Sequence, residues 1–520
     1  MERQAYPVGI QSFEQIRTHD FVYVDKTAEI YELVRRPGYY FLARPRRFGK
    51  SLLLSTLAAY FEGKRNLFEG LAIDHIQPGP WEARPVVRLD LSGRNFETPG
   101  DFRDYVRGCL ENLEKRFGLA TESTDISVKF AGIVTGLHEQ SGRKVAILID
   151  EYDSPMTGNM SREIVQNQIR DELYGFYSVI KTLSEHIHFC ILTGVTRFGK
   201  LSIFSALNNL DDISMTNEFS TICGITEEEL KKELRPGVEY LAKTRRCSFE
   251  KALSMLKRYY DGYHFSDALI DIYNPFSLFR ALKYGKIENY WFETGTPTML
   301  VDYLKNPLRD ISDFNGMKVT RDALSSVSLI RPQAVALLYQ TGYLTIKSYE
   351  FDNDRYVIGF PNREVESGFF SSLLPIYADM QRAETDSVIA RLTDAVRGGD
   401  VTGVVTHLSD FIASIPSDLH RHTGSYESHY QLIIYLLFRL IGLDVKVEYQ
   451  TSDGYIDILM QTPDYVYVME LKVRGSAADA IRQIDEKGYA EQFKGDTRHL
   501  FRIGMSFCTD THRISDSIVE

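Results

Sequence analysis

Four short, almost unbroken apolar runs in the first 225 residues leave this chain few ways to fold. They are Tyr39–Ala43, Val86–Leu91, Lys144–Asp150 and His188–Thr193, and long stretches of helical texture separate them. A strand with one wet face alternates apolar and polar residues. A strand that is apolar at nearly every position is buried on both faces, which in practice means a parallel sheet covered by helices. The expected fold class here is therefore α/β, a parallel sheet with flanking helices.

The first run leads into Arg44-Pro45-Arg46-Arg47-Phe48-Gly49-Lys50-Ser51, and the helix-like stretch Ser51–Phe61 follows. Between a strand and a helix N-terminus, backbone N–H groups converge on a point where a phosphate can sit. Gly49, Lys50 and Ser51 are the candidates for holding ATP: Lys50 on the β- and γ-phosphates, Ser51 on Mg²⁺ through its hydroxyl. Arg44 stands where the GxxxxGK[ST] pattern has its first Gly. The loop is then either tighter or approaches the phosphates differently. Alone, the segment also reads as a basic turn ahead of a helix.

A second signal lies about 100 residues on, where Ile147-Leu148-Ile149-Asp150-Glu151 ends an apolar strand in two carboxylates. Asp150 would support Mg²⁺, directly or through water, and Glu151 would polarise the attacking water. An acidic strand end can also cap the next helix. The two signals together, in a βα pattern, read as a P-loop NTPase. The fourth run closes in Thr193-Gly194-Val195-Thr196-Arg197. Thr193 or Thr196 would sense the γ-phosphate, and Arg197 would stabilise charge in cis or on a neighbouring subunit. A strand-end turn with a surface Arg is the alternative. Arg46 and Arg47 are candidates for phosphate or nucleic-acid contact.

From Thr226 the texture changes. Thr226 and Glu229 form a capping-box pattern, and helical periodicity continues to about residue 310. Tyr339–Ile346 and Tyr356–Gly359 suggest a β-ribbon beside helices, a winged-helix-like element. Another helical stretch runs from Pro361 to about Gly399. The expected domains are 1–225, an ATPase; 226–360, helical and winged-helix-like; 361–403, a helical connector; and 404–520, a second α/β domain. In this last domain the pattern predicts a helix over Tyr426–Leu440 and strands over Val445–Tyr449, Tyr455–Met460 and Tyr465–Lys472. A helix over 477–493 and a closing strand over His499–Phe507 follow.

Asp457 sits in one of these strands, and Glu470 and Lys472 in the next. Residues two apart on a strand share a face, so Glu470 and Lys472 project together. Asp457 precedes Glu470 by 13 positions, a spacing that suits adjacent strands joined by a tight turn. Two carboxylates and an ammonium then converge: ligands for a hard divalent cation, and a group to orient water. Glu427, on the preceding helix, would complete the metal shell. By spacing alone, E-x-K on a strand also reads as a solvated face.

Several blocks carry a family resemblance. Tyr23–Thr27, Arg44–Ser51, Ile149–Asp153, Thr193–Ser214, Asp261-Gly262-Tyr263 and Tyr273–Ser277 resemble an AAA-ATPase-like family abundant in gut anaerobes, over roughly residues 5–290. The resemblance implies a P-loop ATPase of AAA or STAND-like type. Arg in place of the first Gly is similar to that family's own usage. The order Glu427, Asp457, Glu470, Lys472, with Gln483 and Tyr489 behind it, resembles the PD-(D/E)XK nuclease superfamily over about residues 405–510. Ile456 replaces the signature Pro. This implies a C-terminal restriction-endonuclease-like domain. The family's distribution suggests a mobile-element or defence setting.

The combined expectation is an ATP-hydrolysing protein fused to a Mg²⁺-dependent nuclease acting on nucleic acid, DNA ahead of RNA. The alternative is a nucleotide-controlled switch whose nuclease-like domain binds nucleic acid or a protein without cutting it. An Arg197 acting in trans would require a homo-oligomer. Composition sets outer limits. With 43% apolar and 25% charged residues the chain is an ordinary globular sequence, neither disordered nor fibrous. Five scattered Cys without a CxxC argue for a reduced, cytoplasmic setting. The N-terminus lacks a signal-peptide pattern, and no run is long and apolar enough to span a membrane. A net charge of −11 argues against a passive nucleic-acid coat protein but allows a local basic groove. The 12 His show no metal-binding spacing, with His420 and His422 read as surface residues. Lys231-Lys232 and Arg245-Arg246 would either touch phosphate backbone or form an exposed helical face.

Overall fold

All four apolar runs are strands: β1 (Gly38–Ala43), β2 (Val86–Asp90), β3 (Val145–Asp150) and β4 (Ile187–Gly194). In this computed structural model they join a fifth, β5 (Leu210–Asp212), in one wholly parallel sheet, ordered β2-β3-β4-β1-β5. Every residue of β3 is buried, as an unbroken apolar run demands. β5 was not foreseen. It has three residues, two of them acidic, and none of the three is buried, so no apolar run marks it. The structure describes residues 5–93, 96–159, 162–198, 209–292, 314–325, 334–378, 380–415, 426–441, 444–451, 454–473, 475–493, 495–508 and 513–520. His420, His422 and residues 199–208 of the Thr193–Ser214 block lie outside them.

Parallel neighbours require long crossovers. Helices Pro99–Phe117 and Ile126–Ser141 link β2 to β3, and Glu163–Thr182 links β3 to β4. Their ends are written locally. Thr98 and Asp101 form a capping box with Pro99 at the first helical position, and Asp125 caps the second helix. Phe102, Phe130 and Phe176 from these helices bury against Val87, Ile147 and Leu192 of the sheet in one core. Each such side chain contributes about 1.5–3 kcal/mol, so the sheet is a rigid base for what its edges carry. All five carboxyl ends lie along one edge, where ligands of α/β sheets bind.

The Tyr23–Thr27 block is a staple. Asp25 accepts hydrogen bonds from Thr27 Oγ1 (2.6 Å) and the Ala72 amide (2.7 Å). Lys26 pairs with Glu229 at 2.6 Å. Glu229 is also the distal half of the predicted capping box on helix Glu227–Glu233. Helices Arg235–Arg245, Phe249–Tyr260 and Pro275–Tyr284 follow, with a small antiparallel pair, β6 (Ile225–Thr226) and β7 (Ile272–Tyr273). The ribbon stands beside helices as expected, but Tyr339 belongs to helix Ala334–Thr341 rather than to a strand. The sheet consists of β8 (Met317–Thr320), β10 (Arg355–Gly359) and β9 (Thr345–Glu350), in that order.

By packing, one compact unit runs to Gly295 and takes in Phe314–Val365, and the other holds Glu366–Glu520. The second contains helices Arg363–Ala378 (from Glu366), Arg382–Gly398, Val401–Ala413 and Tyr426–Ile441. Its sheet runs β11 (Asp444–Thr451), β12 (Gly454–Gln461), β13 (Tyr465–Lys472), β14 (His499–Cys508), β15 (Arg513–Val519). Only β13 and β14 are parallel, and helix Ala477–Glu486 is their crossover. That helix is shorter than predicted. The Gly488 and Tyr489 amides turn back onto Asp485 and Ile484, with Gly488 at φ +59°. Strand β15 was also missed, because its outward alternation is polar and it lies at an edge.

Candidate active sites

The turn after β1 is shaped by backbone conformation. Gly49, at φ +98°, caps helix Lys50–Phe61 in the left-handed region that favours Gly. Arg47 (φ +70°) and Glu151 (φ +49°) also adopt it, at a cost of about 1–2 kcal/mol each. Such strain persists where surrounding packing holds it, commonly at functional sites. Together these residues line a cleft of about 440 Å³ with Arg46, Lys50, Ser51, Asp90 and Ser92. Its remaining wall is Pro7–Gln11, Leu52, Ser154, Pro275, Phe276, Phe279 and Trp291. Arg47 stacks on Phe276 (4.8 Å), and Trp291 Nε1 donates to the Arg46 carbonyl (3.1 Å).

Lys50 is 4% exposed. Its Nζ donates to the carbonyls of Arg44 (3.0 Å) and Pro45 (3.3 Å) and pairs with Glu151 at 3.3 Å. Asp150 Oδ1 accepts from Thr193 Oγ1 (2.8 Å) and the Glu151 amide (3.1 Å). Its Oδ2 is buried and has no hydrogen-bond partner. Burial raises the Asp150 pKa, opposed by the Ser51 and Thr193 hydroxyls and by Lys50. A buried carboxylate oxygen without a proton donor, next to a hydroxyl, is a donor set that fits Mg²⁺.

Arg44 turns away from this cleft. Its side chain is 1% exposed, donates to the Ser214 (2.7 Å) and Phe219 (3.0 Å) carbonyls and lies over Phe265. The missing first Gly is thus replaced by a strut, with the backbone still free to hold Lys50. Thr196 is committed to Asp153 (2.6 Å), which leaves Thr193 as the threonine that meets Asp150. Arg197 is not in the cleft. Its Nε pairs with Asp212 at 3.0 Å. Reading the sequence missed Asp90, Ser92, the Pro7–Gln11 segment and the aromatic wall. The Tyr273–Ser277 block was the available signal for Phe276.

In the second unit, Asp457 and Glu470 stand one step beyond the last paired residues of β12 and β13, Ile458 and Met469. Facing residues of an antiparallel pair share a face, and Asp457 Oδ2 accepts from the Leu471 amide at 2.8 Å. Lys472 Nζ donates to Glu470 Oε1 (3.0 Å) and to Gln483 Oε1 (2.5 Å) from the crossover helix. Glu470 is 1% exposed, and its Oε2 has no hydrogen-bond partner. Burial, then the nearby Asp457, pushes its pKa up to about 7. Here too a buried, unfilled carboxylate oxygen fits a divalent cation. Glu427 begins helix Tyr426–Ile441; its side chain lies outside the described residues. Tyr489 is buried in this unit's core.

Elsewhere, Lys231 pairs with Glu227 on its own helix, and Arg246 ends helix Arg235–Arg245. Among the described residues no group of three or more His, Cys, Asp or Glu is placed to hold a metal by itself. No described helix is long and apolar enough to cross a membrane.

Residues 7–204 match the family described as predicted AAA-ATPase, and residues 425–517 match the PD-(D/E)XK nuclease superfamily. A relative from Azotobacter chroococcum mcd 1, described as an uncharacterized protein in the vnfD 5'region, is 34% identical over 528 residues. The alignment covers 100% of this chain and 99% of that relative.

Proposed function

This chain belongs to the predicted AAA-ATPase family and ends in a PD-(D/E)XK nuclease superfamily domain, and from that premise we propose that it hydrolyses ATP at one centre and cuts nucleic acid, with Mg²⁺, at the other. The observation that carries the reading is common to both centres. Asp150 Oδ2 and Glu470 Oε2 are buried oxygens without a proton donor, and each carboxylate lies near a lysine.

At the first centre, the turn amides around Gly49 and the Lys50 ammonium would bind the β- and γ-phosphates of ATP. Ser51 and Asp150 would hold Mg²⁺, with Thr193 fixing the Asp150 carboxylate through its hydroxyl. Glu151 would orient the attacking water, released from Lys50 once that lysine turns to phosphate. Arg46 and Arg47 line the cleft and would offset phosphate charge. Phe276 and Phe279 offer an apolar wall to the base. At the second centre Asp457 and Glu470 would hold Mg²⁺, joined by Glu427. Lys472, aimed by Gln483, would orient water and balance charge on the phosphodiester. Bound Mg²⁺ supplies positive charge against phosphate oxygens at either centre.

The test is a cleavage assay on DNA and RNA, single- and double-stranded, with and without Mg²⁺ and ATP. Asp457→Ala is expected to lose Mg²⁺-dependent cutting and keep ATP turnover. Lys50→Ala is expected to lose ATP turnover by about 10²–10³-fold. Equal cutting by wild type and Asp457→Ala rejects the nuclease assignment; unchanged turnover in Lys50→Ala rejects the other.

A further inference from the structure

A second cavity, of about 240 Å³, opens at the carboxyl ends of β4, β1 and β5 and shares no lining residue with the nucleotide cleft. Three arginines, Arg44, Arg197 and Arg321, line it with one acidic residue, Asp212. Arg197 takes that carboxylate, at 3.0 Å. Arg321 makes no ion pair among the described residues. Arg44 is the most informative of the three. It is almost wholly buried, its Nη groups meet only the neutral carbonyls of Ala43, Ser214 and Phe219, and its Nε has no hydrogen-bond partner. A guanidinium buried without a carboxylate in contact is costly unless an anion completes it.

From this imbalance we infer that the cavity is a second anion site, built for a small phosphorylated molecule. Two guanidinium groups without a carboxylate partner among the described residues balance the charge of one phosphate, and the planar guanidinium suits its oxygens. The Tyr339 ring and the apolar side chains of Met215 and Leu324 complete the wall and would take a small organic portion. The volume lies below the roughly 300–1,000 Å³ of common ligand pockets, so a nucleoside triphosphate does not fit.

The site also has a route to the first centre. Arg44 and Pro45 line this cavity, and their carbonyls hold Lys50 Nζ. Filling the cavity therefore biases the position of Lys50. This coupling, unlike the anion site itself, rests on the proposed ATPase function. Coupling between two binding sites is reciprocal, so each ligand changes the other's affinity by the same factor.

Calorimetric titration of the full chain with inorganic phosphate and with ribose 5-phosphate tests the site. In a Lys50→Ala background, which cripples the nucleotide cleft, saturable binding of one equivalent is expected to persist. Arg321→Glu, an exposed position, is expected to weaken it about 10- to 100-fold, and Arg321→Lys to restore part of the loss. No saturable binding of either probe by about 10 mM, or binding that survives Arg321→Glu but needs Lys50, overturns the site. In the wild type, saturating ribose 5-phosphate is expected to shift the Kd for ATP. Binding without any such shift overturns the coupling and leaves the site standing.

Discussion

A carboxylate oxygen buried without a hydrogen-bond partner is costly when charged, and three described side chains carry at least one: Asp150, Asp261 and Glu470. For two of them, Asp150 and Glu470, the proposed divalent cation would offer relief. Asp261 has a different setting, 3.9 Å from Lys257 and far along the chain from either centre. Its pKa is pushed up to about 7, by burial first, with Asp271 adding and the Gly262 amide and Lys257 opposing. The folded chain then binds this proton more tightly than the unfolded chain. The penalty is absent below about pH 4, grows as pH rises toward 7 and is complete above it. Asp261→Asn is expected to raise the melting temperature of the ATPase unit by about 2–4 °C at pH 8 and to leave it unchanged at pH 4. Equal shifts at both pH values would count against this account.

Elements here are ended locally and joined remotely. Thr226 and Glu229 are three residues apart, and their capping box was legible in the sequence because everything it needs lies within one turn. Lys26 reaches the same Glu229 across 203 positions, and no local pattern announces that contact. The two interactions should separate in urea melts of the full chain. Thr226→Ala is expected to cost about 1 kcal/mol. Lys26→Met leaves the half-buried Glu229 without its cation and is expected to cost about 2–3 kcal/mol, discounted from a fully buried pair. Similar losses from both would mean the ion pair is weaker than its burial suggests. β5 and β15 were missed for a related reason: none of their residues is buried, so neither carries an apolar run to read.

At the scale of the whole molecule, the two candidate centres lie in separate compact units. A ligand that binds only the native form of one unit raises the stability of that unit, by about 2.7 kcal/mol at 100 times its Kd. In calorimetric scans at a fixed Mg²⁺ concentration, added ATP is therefore expected to raise the transition of the ATPase unit and leave that of the nuclease-like unit in place. Lys50→Ala should abolish the rise. Movement of both transitions together would show that the units melt as one.

Much of this was within reach of the residue order. Unbroken apolar runs dictate strands buried on both faces; a Gly-Lys-Ser turn and an Asp-Glu strand end mark the proposed phosphate and metal sites; Asp457, Glu470 and Lys472 fall at strand spacing. Each of these follows from forces acting within a few residues of one another. Only the tertiary structure decided what Arg44 and Arg197 face, that Thr193 rather than Thr196 meets Asp150, and which carboxylate oxygens lack a partner. Those outcomes depend on which side chains pack together from distant parts of the chain, and burial, the source of the raised carboxylate pKa values, exists only once they have packed.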